Sequence, residues 1–182
     1  MATMVMRMLI LVSSYILISC NQMCTYGGDI VSLYGDSSIN RFVLRDTLCF
    51  KGINNMPNII DDPNIGEFVG FSNASSTEFL LLVRENGGYD KQFNYFYLTD
   101  SVSPEYVELF VNLPDSFFIT TLGAHIGCSE KEFCDKYKKI KFNISQNATG
   151  SIYEFQDTIN KYRSIYKFDN GYLSHIELGY MW

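Results

Sequence analysis

Aromatic and β-branched residues recur along most of this chain in short runs that Gly, Asn, Asp and Pro interrupt. Such punctuation predicts strands joined by turns. The candidates are Arg41–Lys51, Gly66–Phe71, Thr77–Arg84 and Gln92–Thr99, and the last two flank Glu85-Asn86-Gly87-Gly88-Tyr89-Asp90, a turn-forming stretch that predicts an antiparallel hairpin. Ser103-Pro104-Glu105 has the form of a helix start. Yet Val107, Leu109, Val111 and Leu113 alternate with Tyr106, Glu108, Phe110 and Asn112, so the period of two predicts a strand over Tyr106–Leu113. Ser116–Thr121 is a further apolar, β-branched run, and strands are expected again near Ile140–Ile144 and Ser151–Gln156. A terminal hairpin pairs Tyr162–Phe168 with Tyr172–Tyr180 across Asp169-Asn170-Gly171, residues that tolerate positive φ.

One helix stands out after Gly127. Ser129 followed by Glu132 forms the Ser-x-x-Glu capping box, and Phe133 and Tyr137, four residues apart, share a face with Cys134 beside them. A helix from about 130 to 139 is expected. The fold class is therefore α+β: mainly antiparallel β-sheet with one clear helix and a C-terminal β-hairpin. No internal repeat or low-complexity segment divides it.

The first nineteen residues follow a different pattern. Arg7 is their one charged residue, and an apolar run from Met8 to Ile18 follows it, the layout of a secretory signal. Ser13 and Ser14 interrupt that run and Asn21-Gln22 end it, short of the roughly 20 apolar residues a spanning helix needs. At its end stands Leu17-Ile18-Ser19-Cys20, which resembles the lipobox of bacterial lipoproteins. That resemblance implies cleavage before Cys20, diacylglycerol on its thiol and an acyl chain such as palmitate on its new amine. At about 0.8 kcal/mol per buried methylene, two or more tails anchor far more firmly than one. The expected organisation is a signal peptide over 1–19, a lipidated tether over 20–28 with Gly27-Gly28 giving freedom, and one globular α+β domain over 29–182. The expected place is the bacterial cell envelope: the outer membrane, on its periplasmic side or at the surface, in a Gram-negative cell. Competing readings are a plain signal peptide, or a secreted glycoprotein with acceptor triplets at Asn73, Asn143 and Asn147.

Charge and cysteine content narrow the chemistry. Loss of Arg7 with the leader takes the formal charge from -6 to -7, which argues against nucleic acid as a partner. Lys131, Lys136, Lys138, Lys139 and Lys141 read as a solvated face on and after the helix. Besides Cys20 there are Cys24, Cys49, Cys128 and Cys134, an even number in an oxidising compartment. Cys128, just before the cap, and Cys134, on the second helical turn, are an expected disulfide near the place of a hydrophobic staple, with Cys24 and Cys49 as a second candidate pair. The rival is two reduced thiols packed as small apolar residues. No spacing matches a zinc site, and no metal or cofactor is expected.

A second resemblance lies in the last third of the chain. Ile126-Gly127-Cys128-Ser129-Glu130-Lys131-Glu132-Phe133, Tyr137 and the hairpin Tyr166-Lys167-Phe168-Asp169-Asn170-Gly171-Tyr172-Leu173 are similar to the helix-then-hairpin unit of small outer-membrane lipoproteins of the SmpA/OmlA type, and to the repeat of β-lactamase inhibitor proteins. The Gly and Pro that usually close that helix are replaced here by Tyr137-Lys138-Lys139-Ile140. What the resemblance implies is a non-enzymatic protein that binds or supports another protein.

Catalytic motifs give little competition. There is no Gly-x-Ser-x-Gly elbow, phosphate-cradling loop or His-Glu-x-x-His. His175 shares a strand face with Glu177, a conceivable acid/base pair, but Ile176, Leu178 and Tyr180 alternate on the other side, so a solvated face is preferred. Asp61, Asp62 and Glu67 are conceivable calcium ligands, although Asp-Asp-Pro-Asn is also ordinary turn chemistry. Tyr95, Tyr97, Tyr166, Tyr172 and Tyr180 form either a recognition surface or, preferably, the aromatic core of a sheet. The expected function is a membrane-anchored envelope lipoprotein with a protein partner; the alternative is an envelope hydrolase or small-ligand-binding lipoprotein.

Overall fold

A computed structural model of the chain describes residues 35–46, 48, 50–53, 57–84 and 92–180. The expected signal peptide and tether, Cys20, Cys24, Cys49 and the turn expected at 85–90 lie outside the described residues.

Among the described residues the architecture is mostly antiparallel sheet with two short helices. In chain order the elements are β1 (Ser38–Ile39), β2 (Phe42–Val43), β3 (Ile60–Asp62), β4 (Gly66–Ser72), β5 (Phe79–Arg84), β6 (Tyr95–Thr99), α1 (Pro104–Val107), β7 (Val111–Asn112), α2 (Glu130–Lys136), β8 (Asn143–Gln146), β9 (Gly150–Asp157), β10 (Tyr162–Asp169) and β11 (Tyr172–Tyr180). Two antiparallel meanders, β3 to β6 and β8 to β11, join edge to edge where β6 pairs with β11, giving the order β3-β4-β5-β6-β11-β10-β9-β8. β7 adds a short parallel pairing to β4. The terminal hairpin turns on Asn170 at φ 52° and Gly171 at φ 82°, the two positive φ values that match the twist of paired strands.

Both faces of the first meander are buried. On the inner face Val69, Phe71, Leu80, Leu82, Phe96 and Leu98 continue into Ile176, Leu178, Tyr166 and Phe168 of the second meander. Phe133 and Tyr137 of α2, with Ile39, Phe42 and Phe118, close over them. On the outer face Phe68, Phe79, Leu81 and Val83 are covered by Val102, Tyr106 and Phe110. The outer face of the second meander carries Glu154, Arg163, Lys167, His175 and Glu177 instead.

Several expected elements are corrected. The strand expected over Tyr106–Leu113 is α1 followed by the two residues of β7. Pro104 at the first helical turn presets φ, and the helical spacing of Tyr106 and Phe110 brings both rings onto Phe68, at 5.5 and 6.4 Å. Val107 and Leu109, apolar members of the period-two pattern, are exposed. The strand expected over Arg41–Lys51 shrinks to β2, because Arg45 turns the chain at φ 64°. Ser116–Thr121 forms no strand of its own but lies along β1 through one bridge, Ile39 with Thr120. The helix expected over 130–139 ends at Lys136, with Tyr137 as its C-cap. There the Tyr137 hydroxyl is held in the core, and the Ile140 N–H closes a turn on the Tyr137 carbonyl at 2.9 Å. Overall the chain is richer in β-structure than an α+β class implies. Among the described residues no helix is long and apolar enough to cross a membrane.

Candidate functional site

A polar cleft lies beside a bulge in the terminal hairpin. β10 and β11 pair in register from Tyr162 with Tyr180 to Lys167 with His175, then shift so that Phe168 faces Leu173. Ser174 is the extra residue. Leu173 and Ile176 both join the inner core, so Ser174 and His175 share the outer face, where regular alternation would separate them. They line a cleft of about 300 Å³ together with Thr99, Asp100, Asn147, Lys167 and Asp169.

Several of the polar groups around this cleft are tied to a neighbour. Glu177 Oε1 accepts from Lys167 Nζ at 2.6 Å and from His175 Nε2 at 3.1 Å, while Ser174 Oγ donates to Asp169 Oδ2 at 2.7 Å. Burial pushes the Glu177 carboxyl up, but the hydrogen bonds from His175 and Lys167 and the Lys167 charge outweigh it and hold the group down at about 2. His175 and Glu177, which the sequence places on one strand face, are thus in contact. A carboxylate held so low is a weak proton acceptor at neutral pH, and its chemistry here is to fix positive groups in place.

The sign of that shift carries a prediction. A carboxyl lowered by folding contributes stability that is present above its ordinary value of 4.5 and lost as pH falls through about 2. Because the Lys167 side chain is 41 % exposed, solvent screening leaves about 1–2 kcal/mol. Glu177→Gln is expected to lose that amount at pH 7, with the gap from the parent closing toward pH 2, in urea unfolding followed across pH. A gap that is constant with pH contradicts it.

A second polar cluster, which no sequence motif announces, lies inside the protein. Asp36 is wholly buried between the β1 segment and the end of α2. Its carboxylate accepts from the Tyr137 hydroxyl, from Tyr166 Oη at 2.6 Å and from the Leu122 N–H at 2.6 Å, and its carbonyl accepts from the Tyr162 hydroxyl. Burial raises the Asp36 carboxyl despite these donors, and burial also raises all three tyrosines, with the Asp36 charge adding to it. The cluster pins the N-terminal end of the described chain to strand β10 and helix α2.

Other expected site residues go elsewhere. Cys128 and Cys134 are not bonded to each other. With Ser129 as cap, accepting from the Glu132 N–H at 3.2 Å, the position that faces the residue before the cap in a staple is Phe133. Cys128 accordingly packs as a buried thiol in the same core as Phe133, and Cys134 donates to Tyr153 Oη at 3.6 Å. Asp62 accepts from the Tyr106 hydroxyl and from the N–H groups of Asn64 and Ile65, and Glu67 pairs with Arg84. Among the described residues no three His, Cys, Asp or Glu side chains gather as metal ligands. The five tyrosines do not form one surface: Tyr166 and Tyr95 are buried, on opposite faces of the sheet, while Tyr172 is exposed at the hairpin turn. Of the three acceptor triplets, Asn73 is buried with its amide bonded to Ser116 O and Thr77 Oγ1, whereas Asn143 and Asn147 are exposed. No family model matches this chain, and neither a curated protein nor a solved structure matches it.

Proposed function

We propose that this chain is a lipid-anchored protein of the bacterial cell envelope, cut before Cys20, that binds or supports another protein rather than catalysing a reaction. The observation that carries the reading is Leu17-Ile18-Ser19-Cys20 at the end of a short apolar run with one preceding arginine. The likeness of the last third to SmpA/OmlA-type lipoproteins draws support from how α2 meets the hairpin. The Glu130 N–H donates to Gly171 O at 2.9 Å, Leu173 N–H to Cys128 O at 2.9 Å and Gly127 N–H to Leu173 O at 2.7 Å, so the capped helix and the hairpin turn form one unit. β8 and β9 stand between them in the sequence.

A second reading, an envelope hydrolase or small-ligand-binding lipoprotein, is favoured by the bulge that brings Ser174 and His175 onto one face of a cleft. Both readings share the anchor, so it is tested first. Cys20→Ala is expected to move the protein from the detergent phase to the aqueous phase and to abolish fatty-acid labelling. Labelling that persists in Cys20→Ala, or membrane retention through the chain itself, overturns the anchor.

A further inference from the structure

We infer that the domain rests on the lipid surface through a specific face, the apolar row Phe117 and Ile119 with Val43 and Leu122, and that Arg41 meets lipid phosphate at its rim. The inference rests on the Cys20 anchor and adds an orientation to it.

The row comes from the alternation of an extended segment lying on β1. Phe118 and Thr120 point into the core, so Phe117 and Ile119 point out, 56 % and 40 % exposed. Asn40 N–H donates to Ile119 O at 2.9 Å, Thr121 N–H to Ser38 O at 3.1 Å, and Ser38 faces Val43 across the β1–β2 pair. Val43 is 41 % exposed and Leu122, at the following turn, 38 %. The segment thus covers the core with its inner side and presents Phe117 and Ile119 with the other, beside the solvent-facing Ser38–Thr121 hydroxyl pair at 2.8 Å.

Three observations favour lipid as the occupant. The described chain begins here: Asp36 Oδ1 accepts from the N–H of Leu122, so the sixteen residues from Cys20 to Gly35 end at the edge of the row. At roughly 3.5 Å per residue they reach at most about 50 Å, which keeps the bilayer within range of this face. Basic groups flank it as well. Arg41 is exposed beside Asn40, whose Nδ2 donates to Phe117 O at 3.1 Å, and Lys136 Nζ donates to Gly123 O at 2.7 Å, next to Leu122. Of the acidic groups nearby, Asp115 Oδ1 accepts from Asn40, Asp46 Oδ1 beside Val43 accepts from the Leu48 N–H, and Glu132 pairs with Lys136. Large apolar side chains with an exposed arginine at their rim suit the boundary between acyl chains and anionic headgroups.

The test uses the full chain as the cell processes it, carrying Trp182→Phe and either Ile119→Trp or Ile159→Trp, in vesicles of phosphatidylethanolamine and phosphatidylglycerol with brominated acyl chains. Ile159 is 90 % exposed on the β9–β10 turn and serves as the reference. The indole at 119 is expected to be quenched at least twofold more than the indole at 159. Equal quenching, or shielding of position 119 from aqueous iodide with no bromolipid quenching, overturns the inference; the latter assigns the row to a protein partner or a second copy. Intact mass of the same samples reads the Cys20 lipid separately, so a missing anchor and a wrong face give different results. A chain that fails to bind vesicles at all also overturns the inference.

Discussion

Replacing Asp36 with alanine is expected to destabilise the folded protein by about 3–5 kcal/mol, as loss of a buried charged partner does. The Tyr137 and Tyr166 hydroxyls and the Leu122 N–H all converge on that carboxylate, and its removal opens a void beside them in which Tyr137 keeps a partner, Thr120 Oγ1 at 2.9 Å. Urea unfolding measures the loss, and a change below about 1 kcal/mol contradicts it. A pH series adds the sign. Folding raises the Asp36 carboxyl above its ordinary value of 3.8, so its contribution is full below that value and is lost as pH rises through the folded value. Relative to Asp36→Asn, which cannot titrate, the parent is therefore expected to lose stability as pH climbs from about 4. A difference that stays flat or grows with pH contradicts the assignment.

Phe133→Ala is expected to have an effect of similar size, about 4 kcal/mol. The Phe133 ring is fully buried and stacks on Tyr137 at 4.2 Å, with Tyr166 at 4.8 Å, Phe168 at 5.2 Å, Tyr153 at 5.3 Å and Phe142 at 5.5 Å. Rings fixed by their neighbours and by the Asp36 hydrogen bonds cannot collapse into the space left behind, so the cavity term adds to the lost transfer energy. Phe117→Ala, on the exposed row, is expected to change stability by less than about 0.5 kcal/mol. Denaturant midpoints of the two variants make the comparison, and equal losses would contradict this account of the core.

How much of this was legible in the sequence follows from how local each signal is. The C-terminal hairpin was legible because its turn chemistry and its alternation agree over adjacent residues. The capped start of α2 was legible for the same reason, whereas its end was not, since no Gly or Pro marks it and Tyr137 stops the helix by reaching Asp36, far away in the chain. At Tyr106–Leu113 two periods competed, and the sheet's second apolar face decided for the helical one, a tertiary outcome no window contains. Asp36 sits in Gly35-Asp36-Ser37-Ser38, which reads as a plain polar turn. Only the meeting of three distant tyrosines reveals it as a buried tie. The bulge was hidden too: the pairing of His175 with Glu177 followed from strand alternation, but the one-residue shift that adds Ser174 to the same face depends on register with β10.

The anchor remains the claim on which the functional reading turns, and the N-terminal peptide of the protein recovered from membranes tests it most directly. Mass spectrometry is expected to find Cys20 as the first residue, heavier by a diacylglyceryl group on sulfur and an acyl chain on nitrogen. A peptide that runs intact through Ser19 and Cys20, or one that begins at Cys20 without lipid, contradicts it.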